Sequence, residues 1–239
     1  MPETLSQSLS PAGAPSGSSV ADNLAAVKDA MRRAIAHHGV DQPLPTVVAV
    51  SKRHPVERIV PLLDAGHRVF GENQVQEAQD KWPALKERFA DVSLHLLGPL
   101  QSNKVADAVA LFDVIESLDR EKIARRLRDQ MVAQGRKPRL FVQVNTGEEP
   151  QKSGVLPGDL ADFIRLCRED LKLDIDGLMC IPPVEEDAAV HFAFLKELAR
   201  RHGLARLSMG MSGDYPVAAA VGTDYVRVGT AIFGARPRA

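Results

Sequence analysis

The sequence predicts an α/β protein, a single TIM-like (β/α)8 barrel preceded by one extra N-terminal helix. Short apolar segments, typical of strands covered on both faces, alternate along the chain with segments of helical periodicity. We count eight strand segments, whereas a doubly wound open sheet usually has five or six parallel strands, so the count favours a closed barrel. If one strand were miscounted, the open sheet would be the alternative.

The extra helix and the first four strand and helix pairs occupy residues 20–134. From Val20 to His38 apolar residues recur three or four positions apart, and Gly39 ends this helix. The strands are predicted over 47–52, 67–71, 93–98 and 112–117, and the helices that follow them over 55–65, 72–88, 101–110 and 120–134. Asp119 is the predicted cap of the last of these helices, and Gly135 ends it.

The second half of the chain continues the alternation. The strands are predicted over 139–145, 174–181, 206–211 and 225–233, and the helices between them over 157–170, 185–202 and 212–221. Pro182 and Pro183 break the sixth strand, and the helix after it is long and amphipathic. Since only residues 234–239 follow the eighth strand, we expect no second domain.

Composition excludes several classes of function. The 30 basic and 31 acidic residues give a formal net charge of -1, so no global field attracts nucleic acid or an anionic membrane. No apolar run reaches the ~20 residues that a membrane-spanning helix needs. Cys167 and Cys180 form no CxxC pair, which argues against structural zinc and against a disulfide framework. We therefore expect a protein of the reducing cytoplasm.

The first residues have a different composition from the rest. Residues 1–19 are rich in Ser, Pro, Gly and Ala and lack the basic start and the apolar segment of a secretory signal. We expect a disordered tail over 1–19 and one barrel domain over 20–239.

Lys52 is the first candidate for chemistry, because it follows the apolar segment 47–50 at the carboxyl end of a predicted strand. Barrels bind their ligands at this end, and partial desolvation there lowers the pKa of a lysine towards that of a nucleophilic amine. Taken alone, Lys52 is better explained as an ordinary solvated loop residue, as most lysines at strand ends are. Other segments have to decide its role.

The last two strands are followed by residues suited to an anion. Barrels often seat a phosphate in the loops after strands seven and eight, where the N-H groups of a helix start favour negative charge. Ser212 and Gly213 stand in the first loop, and Gly229 and Thr230 in the second. Each has an ordinary alternative, Ser212 as a helix cap and Gly229 as a packing position. Their occurrence in both expected loops favours phosphate.

Arg227 shares a strand face with Gly229, since side chains alternate along a strand. If Gly229 faces a ligand, Arg227 also points into the barrel mouth. A guanidinium there needs a partner, which could be a carboxylate such as Glu72 or Glu116, or an acceptor atom on a ligand.

An amine, an anion site and a fixed cation at one mouth suit a phosphorylated aldehyde or ketone held as a Schiff base. Pyridoxal 5'-phosphate (PLP) is the leading candidate. A sugar-phosphate aldolase with a Schiff-base lysine needs the same three parts and stays open. A metal-assisted hydrolase is not favoured, because the carboxylates and histidines have no recognisable ligand spacing.

Several motifs, in this order along the chain, resemble those of the YggS/PROSC family of pyridoxal phosphate homeostasis proteins. They are Val48–Lys52, Phe70–Glu77, His95–Lys104, Val142–Asn145, Lys152–Gly154, Gly177–Met179, Leu207–Asp214 and Val226–Thr230. The resemblance implies a single barrel similar to the N-terminal domain of alanine racemase, with PLP bound as an internal aldimine. Two places depart from the family: Leu94 stands where Trp is frequent, and His or Asp is frequent near Glu116.

The resemblance also implies roles for individual residues. Lys52 resembles the aldimine lysine, and Arg227 resembles the partner of the pyridine nitrogen. Asn73 lines the ring in this comparison. The residues Ser212, Gly213, Gly229 and Thr230 resemble the phosphate cradle.

These roles favour a protein that holds the cofactor over one that turns over an amino acid. An arginine leaves the pyridine nitrogen unprotonated, which makes the ring a weak electron sink. A racemase of this type also needs a second domain with an opposing tyrosine, which we do not expect here. The predicted function is intracellular PLP homeostasis, by buffering or delivery to apo PLP-dependent enzymes, without robust catalysis. The alternative is a low-activity amino-acid racemase. A monomer is expected, because no heptad pattern occurs.

Overall fold

The computed structural model, which describes residues 18–235, contains a closed barrel of eight parallel strands in sequence order. The strands are β1 Thr46–Val50, β2 Val69–Glu72, β3 Ser93–Leu96, β4 Val114–Leu118, β5 Arg139–Val144, β6 Ile175–Cys180, β7 Arg206–Ser208 and β8 Tyr225–Val228. The barrel closes where β1 pairs with β8, with Val47 opposite Val226. The predicted (β/α)8 fold is confirmed.

Helices surround the barrel. They are α1 Val20–His37, α2 Val56–Asp64, α3 Val75–Arg88, α4 Val105–Leu111, α5 Glu121–Gln134, α6 Leu160–Arg165, α7 Ala188–Arg201, α8 Tyr215–Val221 and α9 Thr230–Phe233. The predicted extra helix is α1, which begins with a capping box between Ser19 and Asp22. It packs on α8 and α9, and the Asn23 side chain donates to the Ile232 carbonyl over 2.8 Å. No helix among residues 18–235 is long and apolar enough to span a membrane.

Alternation along the strands divides the core into two parts. Val47 and Ala49 point outwards into the large core between sheet and helices. Val48 and Val50 point inwards and pack in a smaller cluster inside the barrel with Leu97, Val114, Phe141, Met179 and Tyr225. The same alternation places Arg227, two positions after Tyr225, inside the barrel.

The end of the chain differs from the sequence prediction. β8 ends at Val228, and the predicted strand over 225–233 is wrong beyond that point because Thr230–Phe233 forms α9. A short apolar run does not distinguish a strand from a buried helical turn, and this run packs under α1. β7 ends at Ser208 and not at 211, since Gly210 adopts a positive φ of 92° that turns the chain out of the sheet.

Two helix starts also differ. α8 begins at Tyr215, so the predicted helix start at Ser212 is wrong and residues 212–214 form a turn. Asp119 does not cap α5, which begins at Glu121 without a side-chain cap; its carboxylate instead accepts from the Arg120 guanidinium over 2.5 Å. The predicted disordered tail lies outside the described residues except for Ser18 and Ser19, as do residues 236–239 of the predicted barrel domain.

Candidate functional site

A cavity of about 290 Å³ opens at the carboxyl ends of the strands. All the residues predicted from the sequence to bind a cofactor line it: Lys52, Asn73, Ser212, Gly213, Arg227, Gly229 and Thr230. They follow or lie on β1, β2, β7 and β8, which bring them together because parallel strands end at the same face of a barrel. The structure thus gathers the predicted site in one place.

Lys52 lies in the turn of residues 51–54, directly after β1. The Ser51 amide continues the sheet by donating to the Gly71 carbonyl over 3.0 Å, and the His54 amide closes the turn on the Ser51 carbonyl over 3.1 Å. Arg53 has a φ of 61°, which is unfavourable for a residue with a side chain. A tight turn therefore carries Lys52 at the rim of the cavity, half-buried.

Arg227 forms one wall of the cavity and is 4% exposed. Its Nη1 donates to the Ser208 hydroxyl over 2.8 Å, and its Nη2 donates to the Cys180 carbonyl over 2.7 Å. Two bonds in different directions fix the plane of the guanidinium. The partners come from β6 and β7, so the orientation of Arg227 is set from inside the barrel.

Glu116 is the carboxylate that balances Arg227, at 4.0 Å between Oε2 and Nη1. The Ser208 hydroxyl bridges the two by donating to Glu116 over 2.6 Å, and His95 Nδ1 lies 2.6 Å from the other carboxylate oxygen. Burial raises the pKa of the Glu116 carboxyl, but the hydrogen bond and charge of His95, together with Arg227, lower it below its ordinary value. A buried anion is therefore maintained beneath the guanidinium.

Glu72, the other carboxylate considered for Arg227, has a different partner. It pairs with Lys81 at 2.7 Å on the outer side of the sheet. Strand alternation explains why Glu72 does not pair with Arg227. A Cβ on Gly71 would meet the inward-facing Val48, so position 71 faces the barrel interior. Glu72 is the next residue of the strand and therefore points outwards.

The two loops predicted to bind an anion contact each other. The Ala231 amide donates to the Ser212 hydroxyl over 3.4 Å, which joins the loop after β7 to the start of α9. Ser212 is thus not a helix cap. Thr230 is the first residue of α9, where backbone N-H groups have no partner within the helix. Hydroxyls and backbone N-H groups of this kind favour a phosphate.

Two glycines keep these loops open. A Cβ on Gly229 would lie 3.2 Å from the Val50 carbonyl oxygen, and a Cβ on Gly213 would meet nothing within 4 Å. Asp214 follows in the same turn and accepts from the Met211 amide over 2.5 Å. Burial raises the pKa of the Asp214 carboxyl, while the hydrogen bond from the Met211 amide and the charge of Arg227 oppose that rise.

Sequence reasoning missed five residues that line the cavity: Val50, His54, Leu97, Ile181 and Met211. His54 stacks on Phe233, with ring centroids 5.0 Å apart. The others are apolar and suit the faces of an aromatic ring. The sequence could have indicated these residues, because each lies at or shortly after the carboxyl end of a strand. The donor set and the apolar walls fit a phosphorylated aromatic aldehyde such as PLP.

Residues 22–237 match the family described as "Alanine racemase, N-terminal domain". The chain belongs to this family. The chain is also similar to proteins that are named pyridoxal phosphate homeostasis proteins. The pyridoxal phosphate homeostasis protein of Escherichia coli K12 is 38% identical over 226 residues, which is 91% of this chain and 97% of that protein. The protein of the same name from Pseudomonas aeruginosa PAO1 is 41% identical over 226 residues, 92% of this chain and 96% of that protein. The resemblance to the YggS/PROSC family is confirmed.

Solved structures agree with the fold. PipY of Synechococcus elongatus PCC7942, solved with PLP bound, is 38% identical, with a TM-score of 0.76 over 90% of this chain and 100% of that chain. An alanine racemase of Clostridium difficile 630 is 15% identical, with a TM-score of 0.67 over 91% of this chain and 57% of that chain. The racemase comparison shows the shared barrel alone.

Proposed function

We propose that this chain binds PLP in the cavity at the strand ends, through a covalent bond to the Lys52 amine, and serves PLP homeostasis in the cytoplasm. The observation that carries the proposal is the convergence of Lys52, Arg227 and the two anion loops on one cavity. The names of the relatives and the PLP-bound PipY structure support it. A sugar-phosphate aldolase would use the same amine and loops, but neither the relatives nor PipY favour it.

Each part of the cavity has a role in this proposal. Ser212, Gly213, Gly229 and Thr230 would hold the phosphate. Arg227 would face the pyridine nitrogen, and Asn73 would contact the ring. When bound, PLP supplies an aldehyde that condenses with primary amines and a ring that withdraws electrons. Lys52 holds the cofactor in place, and the apolar lining limits the access of water.

The proposal includes weak or no catalysis. Arg227 is held by Ser208 and Cys180, and a guanidinium does not give up a proton at ordinary pH. Among the described residues that line the cavity there is neither a carboxylate nor a tyrosine. The relatives that match over nearly their whole length are named for homeostasis and not for an enzymatic activity. Buffering or delivery to apo PLP-dependent enzymes, by a monomer, is the corresponding role.

Absorbance spectroscopy tests the covalent bond. We expect purified protein mixed with PLP to show an imine band that borohydride removes and that the Lys52→Ala chain lacks. Lys172→Ala is the control, since Lys172 lines a separate cavity at the opposite strand ends. Absence of an imine band in the unmodified chain at saturating PLP contradicts the proposal.

Delivery is tested by reactivation of an apo PLP-dependent enzyme with loaded protein, compared with an equal concentration of free PLP.

A low-activity racemase is the second candidate, favoured by one observation. His54 lines the cavity together with Lys52, so a second side chain that can exchange a proton is present. Chiral analysis of amino acids incubated with the loaded protein decides between the two. Racemisation above that of free PLP, lost in His54→Gln, would establish the racemase.

A further inference from the structure

Lys81 lies outside the cavity lining, on α3, yet its ammonium contacts the turn that carries Lys52. It donates to the Ser51 carbonyl over 3.0 Å and lies 3.4 Å from the His54 carbonyl. These two carbonyls flank the turn on either side of Lys52. The side chain is 10% exposed, so the ammonium is largely desolvated and its contacts with the backbone are strengthened.

Two carboxylates hold this ammonium. Glu72 Oε1 lies 2.7 Å from it and Glu77 Oε1 lies 2.9 Å from it. Glu72 also accepts from the Ser51 hydroxyl over 2.8 Å and from the Trp82 indole over 3.1 Å. An ammonium has three donors, and here the two carboxylates and the Ser51 carbonyl are the nearest acceptors.

Glu77 contacts the turn directly as well. Its carboxylate accepts from the backbone amide of Arg53, the residue with a φ of 61°. Backbone strain of this kind persists only where the surroundings impose it. Burial raises the pKa of the Glu72 carboxyl, and the charge and hydrogen bond of Lys81 oppose that rise.

We propose that Lys81 is a positioning residue that, with Glu72 and Glu77, fixes the Ser51–His54 turn so that the Lys52 amine points into the cavity. This rests on the proposed function. In the reaction that it serves, the Lys52 amine adds to the PLP aldehyde, one water molecule leaves and a C=N bond forms. Lys81 is not among the residues that line the cavity; in this proposal it acts through the backbone from which the amine extends.

The test compares two ligands of the same shape. Pyridoxine 5'-phosphate has an alcohol in place of the PLP aldehyde, so it fills the cavity without bonding to Lys52. We expect Lys81→Met to slow imine formation with PLP about 10- to 100-fold, because a small misplacement of a reacting group has effects of this size. Affinity for pyridoxine 5'-phosphate should change by no more than about twofold. Lys81→Arg should restore part of the rate.

Lys86→Met is the matched control. Lys86 lies on the same helix and has a partly buried ion pair with Asp113 at 2.6 Å, but it is remote from the turn. Should the Lys81→Met chain not fold, Glu77→Ala tests the same turn from a side chain that is 25% exposed. An unchanged imine rate in both variants, or an equal loss of affinity for both ligands, overturns the inference alone. Absence of imine in the unmodified chain overturns the proposed function too.

Discussion

Arg227 and Glu116 form a buried ion pair inside the barrel, with 4.0 Å between Nη1 and Oε2 and the Ser208 hydroxyl between them. The inward-facing Phe141 and Met179 pack in the apolar cluster of the same barrel interior. Removal of one member of a buried network leaves its neighbours without hydrogen-bond partners. Each hydrogen bond of this network should therefore make a measurable contribution to the free energy of unfolding.

The bridging hydroxyl offers the most selective test of this network. Ser208→Ala leaves both Arg227 and Glu116 short of a hydrogen bond, and we expect it to lower the free energy of unfolding by about 1.5–3 kcal/mol. Ser117→Ala is the control, because the buried Ser117 hydroxyl has no hydrogen-bond partner among the described residues. Urea denaturation measures both. Equal losses in the two variants would show that the bridge contributes nothing.

Arg227→Lys tests the shape of the cation. Lysine keeps the charge but cannot donate to Ser208 and Cys180 at once from a planar fork, so the orientation of the charge towards the cavity is lost. We expect weaker binding of PLP and of pyridoxine 5'-phosphate, by about tenfold. Isothermal titration calorimetry measures both affinities. Unchanged affinity for either ligand would contradict a role of Arg227 at the ring.

Gly98 controls the position of Asn73. A Cβ on Gly98 would lie 2.1 Å from the Asn73 carbonyl oxygen, a backbone atom that moves only with its loop. Gly98→Ala should therefore cost about 1–3 kcal/mol and also weaken PLP binding. Gly158→Ala is the control, since a Cβ there meets nothing within 4 Å, and it should change stability by no more than about 0.5 kcal/mol. Chemical denaturation and PLP titration together would reveal a tolerated Cβ, which would contradict this contact.

Stability should fall on mild acidification because of His67. Burial, opposed by the hydrogen bond to the Val69 carbonyl, lowers the pKa of His67 from 6.5 to about 4. The folded state thus binds fewer protons than the unfolded state between these values, so the contribution of His67 is complete above pH 6.5 and is lost as pH falls towards 4. His67→Gln keeps a donor for the carbonyl but does not titrate. Thermal melts at pH 7 and pH 5 should show a smaller difference in this variant, and an equal difference would refute the assignment.

The barrel and its site could be predicted from the sequence for a common physical reason. Strands covered on both faces must be apolar, so a polar group such as Lys52 or Arg227 at a strand end stands out. Strand parity puts Arg227 on the same face as Gly229, and so points it inwards if Gly229 faces a ligand; the buried Arg227 agrees. The choice between Glu72 and Glu116 as its partner could not be made, because it depends on which residues of β2 and β4 point into the barrel, and this phase is set by pairing with the neighbouring strands.

The remaining errors come from tertiary contacts that leave no local pattern. The apolar pattern of Thr230–Phe233 is compatible with a strand or a helix, and its packing against α1 is visible only in the structure. Lys81 and Glu77 have the spacing of an ordinary surface pair on a helix, and only the fold brings Lys81 to the Ser51 carbonyl and Glu77 to the Arg53 amide. Leu94 and Glu116, where the sequence departs from the family motifs, are both fully buried in the structure.

The pairing of β1 with β8 has a consequence for folding. Lys52 follows the first strand and Thr230 follows the last, so the cavity straddles the seam at which the barrel closes. Contacts this distant in sequence carry a higher loop-closure entropy cost than local contacts. A nascent or partly unfolded chain can hold every residue of the site and still have no cavity. Ligand binding therefore requires that the first and last strands have paired, and bound ligand in turn stabilises their pairing.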